Sequence, residues 1–152
     1  MEGKQLQPVI SFCIPTNGVL QWVLPVLDSV YSQGVDEAEF EVVVTDNGTD
    51  AAFAEEMNRA IREHGNLIYQ RNQSVLFFNQ LEALKLGHGV YLKFVNHRAV
   101  QEPGSLRRMI EIVKENEEKK PVLYMANGEM KEDRIDCESF DAFVRELGIY
   151  AS

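Results

Sequence analysis

Apolar and polar positions follow two alternating rhythms along this chain of 152 residues. Short apolar runs of strand length each lead into a polar cluster, and apolar positions spaced as on one face of a helix come next. The first run, residues 8–14 (PVISFCI), is rich in β-branched and aromatic side chains and stops at the turn formers Pro15, Thr16, Asn17 and Gly18. Val19, Trp22, Val23, Val26, Leu27, Val30 and Tyr31 then mark a buried helical face, in which Pro25 predicts either a kink or a later start.

A second strand is predicted over residues 40–45 (FEVVVT), apolar enough at its centre to be covered on both faces. It runs into Asp46-Asn47-Gly48-Thr49-Asp50, where Thr49 or Asp50 is placed to cap a helix carrying Phe53, Met57, Ile61 and His64 on one side. Residues 67–70 form a short third strand. A helix over residues 74–86 should bury Phe77, Leu81 and Leu84, with Phe78 beside them. Residues 90–95 (VYLKFV) predict a fourth strand ending at Asn96-His97-Arg98. After Pro103-Gly104, Ser105 is placed to cap a helix with the stripe Leu106, Met109, Ile110 and Val113. Residues 121–126 (PVLYMA) predict a fifth strand, and Phe140, Phe143, Val144 and Leu147 a last amphipathic helix.

This strict alternation implies an α/β fold, a mainly parallel sheet with helices on both faces in three α/β/α layers, connected by right-handed crossovers. No repeat or linker divides the chain, so one domain over residues 1–152 is expected. Hydrophobic residues make up 45% and charged residues 26%, which suits a folded globular domain. The net charge of −9 argues against nucleic acid as a partner, because that binding needs a basic face. No apolar stretch approaches the roughly 20 residues of a membrane span. With no secretory leader in the polar opening, the expected location is the cytoplasm, either free or peripheral at the inner face of a membrane. Cys13 and Cys137 have neither the number nor the spacing of a metal or disulfide framework and are expected as free thiols.

In open α/β sheets ligands bind beyond the carboxyl ends of the strands. The segments leaving the first four strands are Pro15-Thr16-Asn17, Asp46 to Asp50, Arg71-Asn72 and Asn96-His97-Arg98. All are polar, and carboxylates crowded at one rim call for a cation or a donor-rich ligand. Loops are polar in any case, and Asp46 to Asp50 would also serve for turn formation and capping. The chain has no G-x-G-x-x-G, no G-x-x-x-x-G-K-[ST] and no G-x-S-x-G, so dinucleotide, P-loop and hydrolase-elbow sites are unsupported. A receiver-type phosphoacceptor is equally unsupported, since Thr16-Asn17 and Arg71-Asn72 stand where its acidic residues belong.

The segments ISFCIPTNG, LDSVYSQ and FEVVVTDNGTD, followed by IYQRN, the helix containing Asn79, GHGVYLKF and EPGSL, resemble family-2 glycosyltransferases of the GT-A fold. The likeness covers roughly residues 8–126. It implies that the chain is the nucleotide-sugar-binding part of an enzyme of polysaccharide biosynthesis, cut before the acceptor-binding half. Such an enzyme moves a sugar from a nucleotide-diphosphate donor to a saccharide or lipid-linked acceptor. Pro15, Thr16 and Asp46 would hold the base and ribose, and Asn17, Asn47, Asp50, Arg71, Asn79, Asn96 and Arg98 complete the expected donor site.

The family's Asp-x-Asp, which holds Mg²⁺ or Mn²⁺ against the diphosphate, is replaced by Asn96-His97-Arg98. An arginine cannot ligate such a cation, although it binds phosphate bidentately. Arg98 is thus either a substitute for the metal or a solvated charge at a decayed motif. His97 reads as a solvated loop histidine. No catalytic base is identifiable, because Glu129, Asp133 and Asp136 read as a solvated acidic loop. The other class of function compatible with these residues is a non-catalytic module that binds a nucleotide sugar or a protein.

Overall fold

A computed structural model describes residues 7–123 and 135–150. The chain forms two compact units, residues 1–117 and 118–152. In the first, β1 (Ile10–Thr16), α1 (Leu20–Tyr31), β2 (Phe40–Asp46), α2 (Ala51–Glu63), β3 (Leu67–Arg71), α3 (Phe78–Leu86), β4 (Tyr91–Phe94) and α4 (Ser105–Glu115) alternate along the chain. The four strands form one sheet in the order β3-β2-β1-β4, and every pair is parallel. The second unit contains α5 (Phe140–Tyr150), where the expected last helix lies. The Ser139 hydroxyl accepts from the Ala142 N–H at its start.

Strand position explains burial. Central β1 and β2 are almost wholly buried, whereas β3 and β4, at the margins of the four-stranded sheet, are half open. The period-2 alternation of the central strands sends two different sets of side chains to the two faces. Ile10, Phe12, Ile14, Phe40, Val42 and Val44 form one core with Val23, Val26, Leu27 and Val30 of α1, Phe53 and Met57 of α2, and Leu106 and Ile110 of α4. Ser11, Cys13, Glu41, Val43 and Thr45 lie on the opposite face, where α3 packs.

Three local expectations change. Helix α1 starts at Leu20 and continues through Pro25, which sits on its exposed side with Gln21, whose carbonyl loses its usual partner to the missing N–H. Gly104, at φ 81°, rather than Ser105 caps α4, while Asp50 does cap α2 by accepting from the Ala52 N–H at 2.9 Å. Residues 121–123 form no strand, and residues 124–126 of the expected fifth strand lie outside the described residues, as do Glu129 and Asp133.

The largest correction concerns α3. It buries Asn79 and Ala83, while Phe77 is 75% exposed and Phe78 and Leu81 are exposed too. The sheet face beneath it offers Ser11, Cys13, Glu41 and Thr45 around a single valine, Val43, so close approach favours the small alanine and an amide that meets backbone carbonyls. A helical stripe of aromatics would find little space there and, beyond Cys13 and Val43, no apolar partners from the central strands.

Candidate functional site

The strand order reverses between β1 and β4: the chain builds β1-β2-β3 outward in one direction and then crosses to the other side of β1. Loops leaving adjacent strands at such a switch point diverge, and a crevice opens between them. Here the crevice is a cleft of about 230 Å³. Pro15, Thr16 and Asn17 come from the end of β1, Phe94, Asn96 and His97 from the end of β4, and Asn47 from the loop after β2. Leu76, Asn79 and Gln80 close it from the start of α3. No charged side chain among the described residues lines it. Ligand pockets usually measure about 300–1,000 Å³, so this cleft fits a base or a sugar ring rather than a whole nucleotide sugar.

A chain of side-chain amides sets its floor. Buried Asn79 donates from Nδ2 to the carbonyls of Thr16 and Thr45, both at 3.0 Å, and thereby ties the ends of β1 and β2. Its Oδ1 accepts from Asn72 Nδ2 at 2.7 Å. Asn72 Oδ1 accepts from the Ser74 N–H, and the Ser74 carbonyl accepts from Asn47 Nδ2 at 2.8 Å. Loops from three strands are therefore held by one continuous network. Gly48 is required beside it, because a Cβ there would stand 2.1 Å from the Asn17 carbonyl oxygen. Leu76, at the cleft mouth, adopts φ 48°, a left-handed conformation that costs a branched residue of order 1 kcal/mol.

Asp46 lies behind this floor, fully buried. Its Oδ1 accepts from the Gly48 N–H at 2.6 Å. Its Oδ2 accepts from Tyr69 Oη at 3.1 Å and from Arg71 Nε and Nη2 at 3.1 and 3.0 Å. Arg71 also donates to the Asp50 carbonyl. Burial, then the charge of Asp46, pushes the Tyr69 phenol up to about 12, so it remains a donor at neutral pH.

The loop after β4 is organised differently. Asn96 Oδ1 accepts from the Arg98 N–H at 3.0 Å, closing a local turn. The Arg98 guanidinium lies 3.5 Å over the Trp22 ring of α1. The His97 ring packs against the same indole, with centroids 5.2 Å apart. Its Nδ1 lies 3.0 Å from Thr16 Oγ1. Burial, and secondarily the Arg98 charge, holds the imidazole below its usual range, so it is neutral at pH 7.

Of the residues expected at a donor site, Pro15, Thr16, Asn17, Asn47, Asn79 and Asn96 meet at the cleft. Asp46 and Arg71 pair with each other behind it, the Asp50 carboxylate caps α2, and Arg98 flanks it on Trp22. His97, Leu76, Gln80 and Phe94 also line it and were not expected. His97 was within reach of the sequence, since it lies between Asn96 and Arg98 in the polar loop after β4, whereas Leu76 and Gln80 depend on how α3 docks.

No family model matches this chain, and no curated protein matches it. Solved structures do. S. aureus TarS 1–349 aligns with a TM-score of 0.62 at 23% identity, covering 71% of this chain and 33% of that one. The complex of the same TarS fragment with UDP-GlcNAc gives the same score and identity. The mannosyltransferase PcManGT from Pyrobaculum calidifontis, in complex with GDP-Man and Mn²⁺, aligns at 0.60 and 18% identity over 70% of this chain and 32% of that one. The chain thus spans about a third of the length of these proteins. At such identity the likeness establishes the fold, an α/β sheet of the GT-A glycosyltransferase type.

Proposed function

We propose that this domain binds a nucleotide-diphosphate sugar at the carboxyl edge of its sheet, as the donor-binding part of a glycosyltransferase of polysaccharide biosynthesis. The observation that carries this reading is the cleft at the switch point, lined by five amide side chains and a neutral imidazole, with a guanidinium at its flank. Uncharged amides match the mixed donors and acceptors of a base or sugar, and the cation outside matches the diphosphate. TarS and PcManGT, whose fold this chain shares, have been solved with UDP-GlcNAc and with GDP-Man. A saccharide or lipid-linked acceptor completes the proposed reaction. In this reading Asp46 acts from behind, holding the loop of Asn47 and Gly48, because its oxygens are occupied by protein donors.

The residues at the end of β4 do not fit Mg²⁺ or Mn²⁺. A divalent cation held against a diphosphate usually takes one or two protein carboxylates beside the phosphate oxygens and waters. The cleft presents no carboxylate, and the described residues contain no cluster of three His, Cys, Asp or Glu side chains suited to a metal. Arg98 takes the diphosphate instead. Trp22 pre-orients it, a contact worth about 0.5–1 kcal/mol at an exposed site.

Calorimetric titration of UDP- and GDP-sugars, with EDTA and with added Mn²⁺, tests both parts. Binding is expected to persist in EDTA, and Arg98→Ala should weaken it roughly 10- to 100-fold, the worth of a charge-assisted contact. Binding that collapses on chelation and returns with Mn²⁺ overturns the arginine role, and no binding to any donor overturns the site. A second reading, a module that binds without transferring, is favoured by one observation. No carboxylate among the described residues faces the cleft to take the acceptor proton. Sugar release or transfer by this chain alone would exclude it.

A further inference from the structure

His97 stands between Asn96 and Arg98 with one ring nitrogen engaged and the other unspent. The Gly18 N–H donates to Thr16 Oγ1 at 3.1 Å, which fills one lone pair of that buried hydroxyl. The hydroxyl proton still needs an acceptor, and His97 Nδ1 lies 3.0 Å away. Were Nδ1 protonated, it would donate to the oxygen and leave the hydroxyl proton without a partner, at a desolvation cost of the usual order for a buried donor. Thr16 therefore donates to Nδ1, and in the neutral ring the proton must sit on Nε2. Trp22 packs against the imidazole and fixes its tilt. The facing groups, Thr16 from β1 and Trp22 from α1, are uncharged. Arg98, the nearby charge, disfavours a second proton.

We infer that His97 is a ligand-binding residue, held by Thr16 as the Nε2–H tautomer so that Nε2 donates a hydrogen bond to an uncharged acceptor oxygen on the nucleoside portion of the ligand. The inference rests on the nucleotide reading of the cleft and adds a division of labour. The neutral donor His97 lines the uncharged cleft and reads base or ribose, while the cation Arg98 lies outside it and reads phosphate. Asn79 has both amide hydrogens spent on backbone carbonyls, and the other amides around the cleft carry both a donor and an acceptor group, whereas the locked imidazole offers only a donor, so it fixes the orientation of the bound group. Nε2 makes no hydrogen bond among the described residues.

Long-range ¹H–¹⁵N correlation spectra of the ligand-free protein at pH 7 report the tautomer directly. Protonated Nε2 with bare Nδ1 is expected, and Thr16→Val should mix the two neutral forms. A dominant Nδ1–H form or an imidazolium overturns the lock. Binding is then read by chemical-shift titration with uridine, guanosine, UDP and GDP. His97→Ala should lose about 10-fold for nucleoside and diphosphate alike, and His97→Gln, whose distal amide N–H can stand in for Nε2–H, should recover most of it. Arg98→Ala should affect only the diphosphates. Unchanged affinity in His97→Ala, or a loss confined to diphosphates, overturns the inference while leaving the nucleotide site standing. Failure of the wild type to bind any of the four overturns the site itself and the inference with it.

Discussion

Strand β2 carries a buried carboxylate near each end, and the two are satisfied by one plan executed with different charges. Glu41 lies opposite Ser11 of β1 in register, and Asp46 lies opposite Arg71 of β3. Each accepts from that cross-strand partner and from a backbone N–H in the nearest loop: Ser11 Oγ at 2.5 Å and His88 for Glu41, Arg71 and Gly48 for Asp46. At the amino end the partners are a hydroxyl, a backbone amide and the exposed His88 ring, whose Nδ1 lies 3.2 Å from Oε2. At the carboxyl end the partner is a permanent cation. The amino-end arrangement clips the Gly87-His88-Gly89 turn onto β1, where a Cβ at Gly89 would stand 2.6 Å from the Ser11 nitrogen. That edge also has the larger hollow, about 1170 Å³, yet the amide-lined cleft lies at the opposite edge, where strand order reverses. Hollow size alone is a poor guide to a site.

The sharpest test of this contrast removes the fixed cation. Arg71→Ala leaves a fully buried carboxylate with only Tyr69 and Gly48, and should destabilise the fold more than any other substitution considered for this pair of carboxylates. Glu41→Gln keeps an acceptor for Ser11 and should cost about 1 kcal/mol. Equal losses in urea denaturation would show that the two ends do not differ.

Gly48→Ala and Gly89→Ala both force a Cβ against backbone, and each should cost about 1–3 kcal/mol of overpacking. Their effects on ligands should diverge. If the proposed donor site holds, nucleotide binding should weaken in Gly48→Ala, which displaces the loop of Asn17 and Asn47, and should be unchanged in Gly89→Ala. A loss of binding in both would mean that the edges are coupled.

A smaller effect, about 1 kcal/mol, is expected for Asp50→Ala, which removes the α2 cap but no contact of the cleft. Its melting temperature should fall without a change in nucleotide affinity. Alkaline titration separates the ends once more. Burial first, then Glu41, pushes the Cys13 thiol up to about 12 from an ordinary value of 9.0, and Tyr69 rises to about 12 from 10.0. Both folded values exceed the unfolded ones, so the stability they contribute is complete below the unfolded values and drains away between pH 9 and 12. Tyr69→Phe should flatten the upper part of that decline, from pH 10. At pH 8 a thiol reagent should label exposed Cys137 and leave Cys13 untouched until the protein unfolds.

Much of the architecture was legible locally. The apolar runs FEVVVT and PVISFCI read as covered strands because a strand flanked on both sides must be apolar on both faces, and β2 and β1 are the central strands. Helix α3 misled for the same reason in reverse: its aromatic positions suggested a buried stripe, but the face it meets is made by Ser11, Cys13, Glu41 and Thr45 with Val43 as its one branched aliphatic. In the site, the polar loops were identifiable one by one. Their division into cleft wall, hidden brace and flanking cation was not.

The sequence by itself determined the order of elements, the polar loops at strand ends and the absence of an acidic motif after β4, because each depends on neighbours within one strand or one helical turn. Tertiary structure alone decided that Arg71 is spent on Asp46, that Asn79 is a brace, and that His97 meets Thr16. Those partners are 25, 63 and 81 residues apart, counting Asn79 to the Thr16 carbonyl for the second. A side chain's hydrogen bonds are assigned by the strand order that brings its partners together, and the order β3-β2-β1-β4 is not written in any one of its segments.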